Sequence, residues 1–102
     1  MAATAGYHGY QQTLDTDDTF ETIFDTETAK IRPVWGMEFW CTGGNAEIVF
    51  NTIERYGTTA EQAATIVDGE NPVRFYFDKI QHVQAKFATV AGAELSWRTI
   101  GG

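Results

Sequence analysis

Residues 73–80 read Val-Arg-Phe-Tyr-Phe-Asp-Lys-Ile, and this stretch decides the fold class of the chain. Side chains of a β-strand point alternately to the two faces of a sheet. Here valine and phenylalanine occupy the odd positions through Phe77, whereas Arg74, Tyr76 and Asp78 occupy the even positions. A period of two with one apolar side predicts a half-buried strand.

The same period of two continues outward from this stretch in both directions. Downstream it recurs in residues 83–88 and 93–100, and upstream in residues 20–25, 30–41 and 46–51. Each of these segments is therefore a predicted strand. In the two downstream segments, the residues predicted to share one face are Val83, Ala85 and Phe87 in the first and Ala93, Leu95, Trp97 and Thr99 in the second.

The segment from Lys30 to Cys41 is interrupted by two residues that strands tolerate poorly. Pro33 and Gly36 indicate an edge position or a bulge in its first half, because proline cannot donate a ladder hydrogen bond and glycine weakens a strand interior. One face of this strand is predicted to hold Trp35, Met37, Phe39 and Cys41, and the other Val34, Glu38 and Trp40.

Glycine-containing turns separate the predicted strands. Residues 42–45 (Thr-Gly-Gly-Asn) accept positive φ angles and are predicted to close a hairpin. Residues 68–72 and 91–92 are predicted turns as well. Residues 58–66 fit either a short helix capped by Thr59 or a strand, and the strand is favoured.

The composition agrees with a mostly β chain. Leucine occurs twice, whereas valine and isoleucine together supply 13 positions and threonine supplies 14. Side chains branched at Cβ restrict helices and suit a pleated sheet. Seven or eight short strands at this spacing predict an all-β fold, namely an antiparallel β-sandwich of the jelly-roll or immunoglobulin-like type, or a small barrel.

Charge is distributed unevenly along the 102 residues, whose net charge is −7. Residues 1–29 contain six acids and no Lys or Arg, and the first dozen residues lack apolar periodicity. We therefore expect residues 1–17 to form a flexible acidic N-terminal arm and residues 18–102 to form one β-sandwich domain. Neither a membrane helix nor a cleaved signal peptide is expected, because no apolar run is long enough for the first and the N-terminus lacks a basic segment.

The polar residues form no recognisable catalytic motif. Cys41 is the single cysteine and has no basic neighbour to activate it, so it is predicted to be a small, half-buried hydrophobic residue. His82 alternates with Val83 and is predicted to face solvent, and His8 lies in the predicted arm. Residues 15–18 (Asp-Thr-Asp-Asp) offer oxygen ligands of the kind that Ca²⁺ prefers but lack the other features of an EF-hand loop. No catalytic residue, cofactor or metal is expected.

The aromatic residues are the strongest remaining feature, with 7 Phe, 3 Trp and 4 Tyr in the chain. Some of these rings must be exposed or covered by another molecule. Ordinary core packing with a scattered surface ring, a sugar-stacking platform and a subunit interface all remain open. The net charge argues against direct nucleic-acid binding, because neutralisation of phosphates dominates such affinity. The candidate interface residues are Tyr7, Tyr10, Trp40, Tyr56 and Tyr76.

The C-terminal half of the chain combines an Asp68-Gly69 turn, the strand at residues 73–80, a strand through Val83, a second turn at residues 91–92 and a closing strand through Trp97. In this arrangement it resembles small β-sandwich structural proteins of tailed bacteriophages, of the capsid decoration, cement and fibre-base type. The resemblance covers about half of the chain.

The resemblance implies a non-enzymatic component of a virion, assembled in the host cytoplasm and located in the particle. It implies a homo-oligomer, with a trimer favoured, that binds the major capsid protein or another virion protein. A terminal arm of such a protein pairs with a neighbouring subunit, so we expect residues 1–17 to become ordered on assembly.

Two other functions are considered from the residues alone. A monomeric carbohydrate-binding module would stack sugars on outward rings such as Trp40, Tyr56 or Tyr76. A small enzyme would need a paired acid and base, and none lies at useful spacing in the sequence.

Overall fold

The computed structural model of the protein describes residues 9–30, 32–50 and 62–101. The elements within these residues are, in chain order, β1 (Gly9–Gln12), β2 (Glu21–Asp25), the single helical turn α1 (Thr26–Ala29), β3 (Val34–Thr42), β4 (Ala46–Phe50), β5 (Gln62–Ile66), β6 (Val73–Ile80), β7 (His82–Phe87) and β8 (Glu94–Ile100).

The eight strands form two four-stranded sheets in which neighbouring strands are antiparallel. Sheet I has the order β1-β8-β3-β6, and sheet II has the order β2-β7-β4-β5. The predicted all-β sandwich is therefore confirmed. The chain changes sheets at every connection except that from β4 to β5, and eight strands in this order form a jelly roll, in which two Greek keys interlock.

Residues 42–45 connect β3 to β4 but do not close a hairpin, so this prediction was wrong. The two strands belong to different sheets, and the turn crosses from one to the other. Gly43 has φ of 84°, and a Cβ placed on it would overlap the backbone of Gly92 in a neighbouring loop. The glycine thus permits two loops to approach closely, whereas the sequence pattern suggested that it sets a hairpin register.

The inner faces of the two sheets enclose one core. Phe50 of β4 is fully buried, and its ring centroid lies 5.9 Å from that of Phe39 and 4.9 Å from that of Phe77. Trp97 of β8 packs edge-to-face with Phe24 of β2, and their ring centroids are 5.7 Å apart. The residues that were predicted to share a face in the last two segments are all buried, which confirms their grouping: Val83, Ala85, Phe87, Ala93, Leu95, Trp97 and Thr99.

The first part of β3 departs from simple alternation. The register between β3 and β6 shifts there, because Val34 pairs with Ile80 whereas Gly36 pairs with Tyr76. Val34 is consequently buried and Trp35 is 48% exposed. The predicted faces of these two residues were wrong, although Pro33 and Gly36 had indicated an irregular strand at this point.

The N-terminal segment is more structured than the sequence suggested. Residues 9–12 form β1, which pairs with β8 along residues 95–98, and Leu14 is buried in the core. The described part of the predicted arm, residues 9–17, therefore belongs to the sandwich. A search for alternation does not detect this segment, because β1 is too short to show a period and only one leucine of the segment is buried. Residues 1–8 lie outside the described residues.

Two other expectations concern residues 51–66. Residues 62–66 form β5, so the strand was the right alternative for that part of residues 58–66. Residues 51–61, including Tyr56, lie outside the described residues. In the described segments no helix has the length and apolar character needed to cross a membrane.

Candidate functional site

The candidate site is the exposed outer face of sheet I, where two aromatic rings stack on each other. Trp35 of β3 and Tyr76 of β6 have centroids 5.6 Å apart and an interplanar angle of 22°. Trp35 is 48% exposed and Tyr76 is 53% exposed. We call these two residues the aromatic pair. Large rings that remain half exposed on a sheet commonly mark a binding surface.

Two glycines make room for the aromatic pair. Gly36 lies opposite Tyr76 in the ladder, and a Cβ placed on Gly36 would be 3.0 Å from a ring carbon of Tyr76. Gly101 has φ of 78°, and a Cβ placed there would overlap the indole of Trp35. The pair is therefore fitted against the backbone on two sides and is not a loose surface feature.

A buried carboxylate lies beside the aromatic pair on the same face. Glu38 of β3 is opposite Arg74 of β6 and Arg98 of β8 in the two ladders. Its Oε2 accepts from Nε of Arg74 at 2.8 Å, and its Oε1 accepts from Nε of Arg98 at 2.6 Å. Glu38 is only 5% exposed, because the two guanidinium groups cover it.

The two arginines keep Glu38 ionised. The hydrogen bond from Arg74 is the main cause of a lowered pKa for this carboxyl, burial opposes it, and the hydrogen bond and charge of Arg98 add to the lowering. A carboxylate held in this way is a weak base and a poor proton donor at neutral pH. Its chemical capacity is to orient the two arginines and to neutralise part of their charge.

The predicted interface residues are not all brought together. Tyr76 is in the aromatic pair and lies opposite Gly36 in the ladder. Trp40 lies on β3 four residues after Gly36 and is half-buried. Tyr10 lies in β1 opposite Trp97. Tyr7 and Tyr56 lie outside the described residues.

Several residues of this surface were missed at the level of sequence. Trp35 was predicted to share a face with Met37 and Phe39, which are buried, whereas it is exposed. Glu38, Arg74 and Arg98 were not recognised as a cluster. The signal for the cluster is the strand order, since β3 lies between β6 and β8. Alternation of side chains within a single strand does not reveal which strands are neighbours in the sheet.

The acidic segment at residues 15–18 is held by hydrogen bonds to the rest of the sandwich. The carboxylate of Glu21 accepts from the backbone N–H groups of residues 15 and 16. Asp17 accepts from the N–H of Val90 at 2.9 Å, and Asp18 pairs with Lys86 at 2.9 Å. In the described segments no three His, Cys, Asp or Glu side chains are grouped so that they could hold a metal ion.

His82 does not face solvent as predicted, because it is 1% exposed. It begins β7 two residues after β6 ends, where the chain crosses between the sheets, and alternation does not describe such a crossing. Its Nε2 lies 3.1 Å from Oγ1 of Thr22 on β2. His8 lies outside the described residues.

Cys41 is buried more completely than predicted, at 2% exposure. Its Sγ lies 3.2 Å from the carbonyl oxygen of Gly44 and 3.3 Å from that of Ile66. Burial raises the pKa of the thiol. It therefore packs as a small hydrophobic residue, as predicted, and remains a thiol at neutral pH.

An open groove of about 490 Å³ lies beyond the other end of β3 from the aromatic pair. Its lining includes Gly44, Glu47, Thr65 and Thr89. Its lining includes neither residue of the aromatic pair, nor Glu38, Arg74 or Arg98. We therefore treat the outer face of sheet I as the better candidate site.

No protein-family model, curated protein or solved structure matches this chain.

Proposed function

We propose that the protein is a non-enzymatic structural protein of a phage virion, which stabilises the particle by oligomeric assembly as a capsid decoration, cement or tail-associated component. Its proposed partners are further copies of itself and the major capsid protein or another virion protein. The proposed location is the virion, after assembly in the host cytoplasm.

The observation that carries this proposal is the aromatic pair on the outer face of sheet I. Tryptophan, tyrosine and arginine are the residues most enriched at the energetic centres of protein interfaces. Trp35, Tyr76 and the 56% exposed side chain of Arg74 lie together on one sheet face. A surface of this composition favours docking of another protein.

Two further considerations support the phage setting. The jelly roll is used by many viral capsid proteins, although the same fold also occurs in lectins and cupins. The virion itself is suggested by the resemblance of residues 68–97 to phage structural proteins. The net charge of −7 favours a protein partner over nucleic acid.

The proposal is tested by adding the purified protein to phage particles assembled without it and measuring co-sedimentation in a density gradient. We expect the wild-type protein to move with the particles. Trp35→Ala and Tyr76→Ala should each reduce the bound fraction at least about tenfold, as hot-spot truncations do. Val67→Ala is the matched control, because Val67 is also an exposed apolar residue, at 45%, outside the aromatic pair. A wild-type protein that never sediments with particles contradicts the proposal.

A carbohydrate-binding module is the second candidate, and the exposure of the stacked rings favours it specifically. Sugars stack on exposed aromatic rings, and Arg74 could donate hydrogen bonds beside them. A glycan array tests it. Binding that is lost in Trp35→Ala and kept in Trp40→Ala would support this function, and an array without any binding would contradict it.

A further inference from the structure

Strand β6 forms one end of sheet I, and its outer side faces no other strand among the described residues. It extends over eight residues, whereas the other three edge strands, β1, β2 and β5, have four, five and five. An edge strand presents backbone N–H and C=O groups that can pair with another chain. Short length, bulges and repelling charges are the usual protections against such pairing.

The sequence of β6 is complementary to itself when it is reversed. Residues 74–78 read Arg-Phe-Tyr-Phe-Asp. In an antiparallel pair of two such strands centred on Tyr76, Arg74 of each copy is opposite Asp78 of the other, and Phe75 is opposite Phe77. Opposite charges that face each other across strands stabilise an antiparallel pair.

The other edge strands lack this property. A second copy of β2 centred on Ile23 would place Glu21 opposite Asp25, so that like charges repel at both ends. Strands β1 and β5 contain no charged residue and therefore have no electrostatic register.

The side chains around Tyr76 suit a second copy. Trp35 stacks on Tyr76, so two copies related by an axis at Tyr76 would bring both aromatic pairs into one row across the contact. Arg74 uses its Nε for Glu38, and its guanidinium group has further N–H donors for a carboxylate of the second copy. The contact would thus cover the half-exposed rings that the monomer leaves on its surface.

We propose that β6 pairs antiparallel with β6 of a second copy of this chain, with Tyr76 at the two-fold axis, so that the two copies of sheet I become one continuous sheet. This inference rests on the proposed homo-oligomeric function and names its contact surface. A two-fold contact of this kind gives a dimer, in place of the trimer that the sequence resemblance implies.

Disulfide trapping tests the register of the contact. In a Cys41→Ala background, Tyr76→Cys should form a covalent dimer under mild oxidation, because directly opposed residues have Cα atoms within about 5.5 Å, which a disulfide can span. Lys79→Cys is the matched control on the same strand. In the proposed register the two copies of residue 79 lie six residues apart, roughly 20 Å, which is too far for a disulfide.

Charge reversal provides a test that keeps Tyr76. Asp78→Lys places a cation opposite Arg74 of the second copy, so we expect it to convert dimer to monomer in sedimentation velocity. Glu70→Lys makes the same change of charge at an exposed residue just before β6 and should leave the dimer intact. A thermal melt of each variant shows whether the monomer itself remains folded.

The outcomes separate this inference from the proposed function. Strand β6 is in regular register with β3 from Val73 to Tyr76, and the register shift falls between Tyr76 and Ile80, so cross-linking at position 76 is the most direct result. Equal cross-linking at positions 76 and 79, or a mass unchanged by Asp78→Lys, overturns the edge contact. A monomer that still co-sediments with particles rejects the contact and keeps the function. A trapped dimer that binds no particle supports the contact and contradicts the proposed function.

Discussion

The carboxylate of Glu38 accepts a hydrogen bond from Nε of Arg74 at 2.8 Å on the outer face of sheet I. The arginine side chain is 56% exposed and the glutamate side chain only 6%, so the cation shields the anion from water. The ladder brings the two residues together, since they are directly opposite on β3 and β6. This contact links the stability of sheet I to pH.

The first prediction concerns Glu38 and acid. Its pKa is lowered in the folded state, so its contribution to stability is present above the pKa of an unfolded glutamate and is lost as pH falls through the folded value. Glu38→Gln should reduce the free energy of unfolding at pH 7 by on the order of 1 kcal/mol, a modest figure because both arginine side chains are partly exposed and solvent screens their charge. Urea titrations of both proteins from pH 7 to pH 2 measure this difference, which should shrink below about pH 4.

Glu70→Gln is the control for this experiment, because Glu70 is exposed and is not one of the residues that pair with Glu38. Its difference from wild type should be small at every pH. An equal and parallel loss in both variants would show that general charge, and not the contact with Arg74, determines the acid response.

The second prediction concerns Gly101, whose missing side chain leaves space for the indole of Trp35. Gly101→Ala should displace the end of the chain and expose the indole, which shifts the tryptophan fluorescence to longer wavelength. Gly69→Ala is a close control, because Gly69 has a similar φ of 74° and nothing within 4 Å of the added Cβ. Both variants should lose about 1 kcal/mol to backbone strain. Only Gly101→Ala should change the fluorescence, and an identical spectrum would contradict the packing described for Trp35.

The sequence predicts the core faces of the sandwich well but not its strand order. Alternation placed Val83, Ala85 and Phe87 correctly because it reports on each strand separately. The turn at residues 42–45 was misread as a hairpin, since a glycine turn has the same composition whether it joins neighbours in one sheet or crosses between two. Which strands pair is a property of the whole chain.

The same distinction explains the result for the candidate site. Tyr76 was predicted to point outward and does, because the strand around it is regular up to that residue. Trp35 was misplaced because the register shift beside Gly36 changes its face. Glu38, Arg74 and Arg98 come from three strands, and their cluster follows only after β3 is known to lie between β6 and β8.

The third prediction concerns Phe50, at the centre of the core. Its ring contacts those of Phe39, Phe75 and Phe77 at centroid distances of 4.9 to 5.9 Å. Phe50→Ala should cost about 3–5 kcal/mol, which is a large part of the total stability of a domain of this size. Phe20→Ala removes the same ring at a half-buried position and should cost less. Chemical denaturation measures both, and equal losses would place Phe50 outside the core.

The last prediction tests whether the N-terminal segment belongs to the folded body. Leu14 is 3% exposed and lies two residues after the end of β1, so Leu14→Ala should cost about 2–3 kcal/mol through lost burial and the cavity that remains. Thr13→Ala is the matched control, since Thr13 is the preceding residue and is exposed. Unfolding curves that coincide for wild type and Leu14→Ala would mean that residues 9–17 form a detached arm.

Strand β1 also pairs with β8, so deletion of residues 1–17 would remove part of sheet I. A loss of oligomers in such a deletion would not by itself identify an assembly arm.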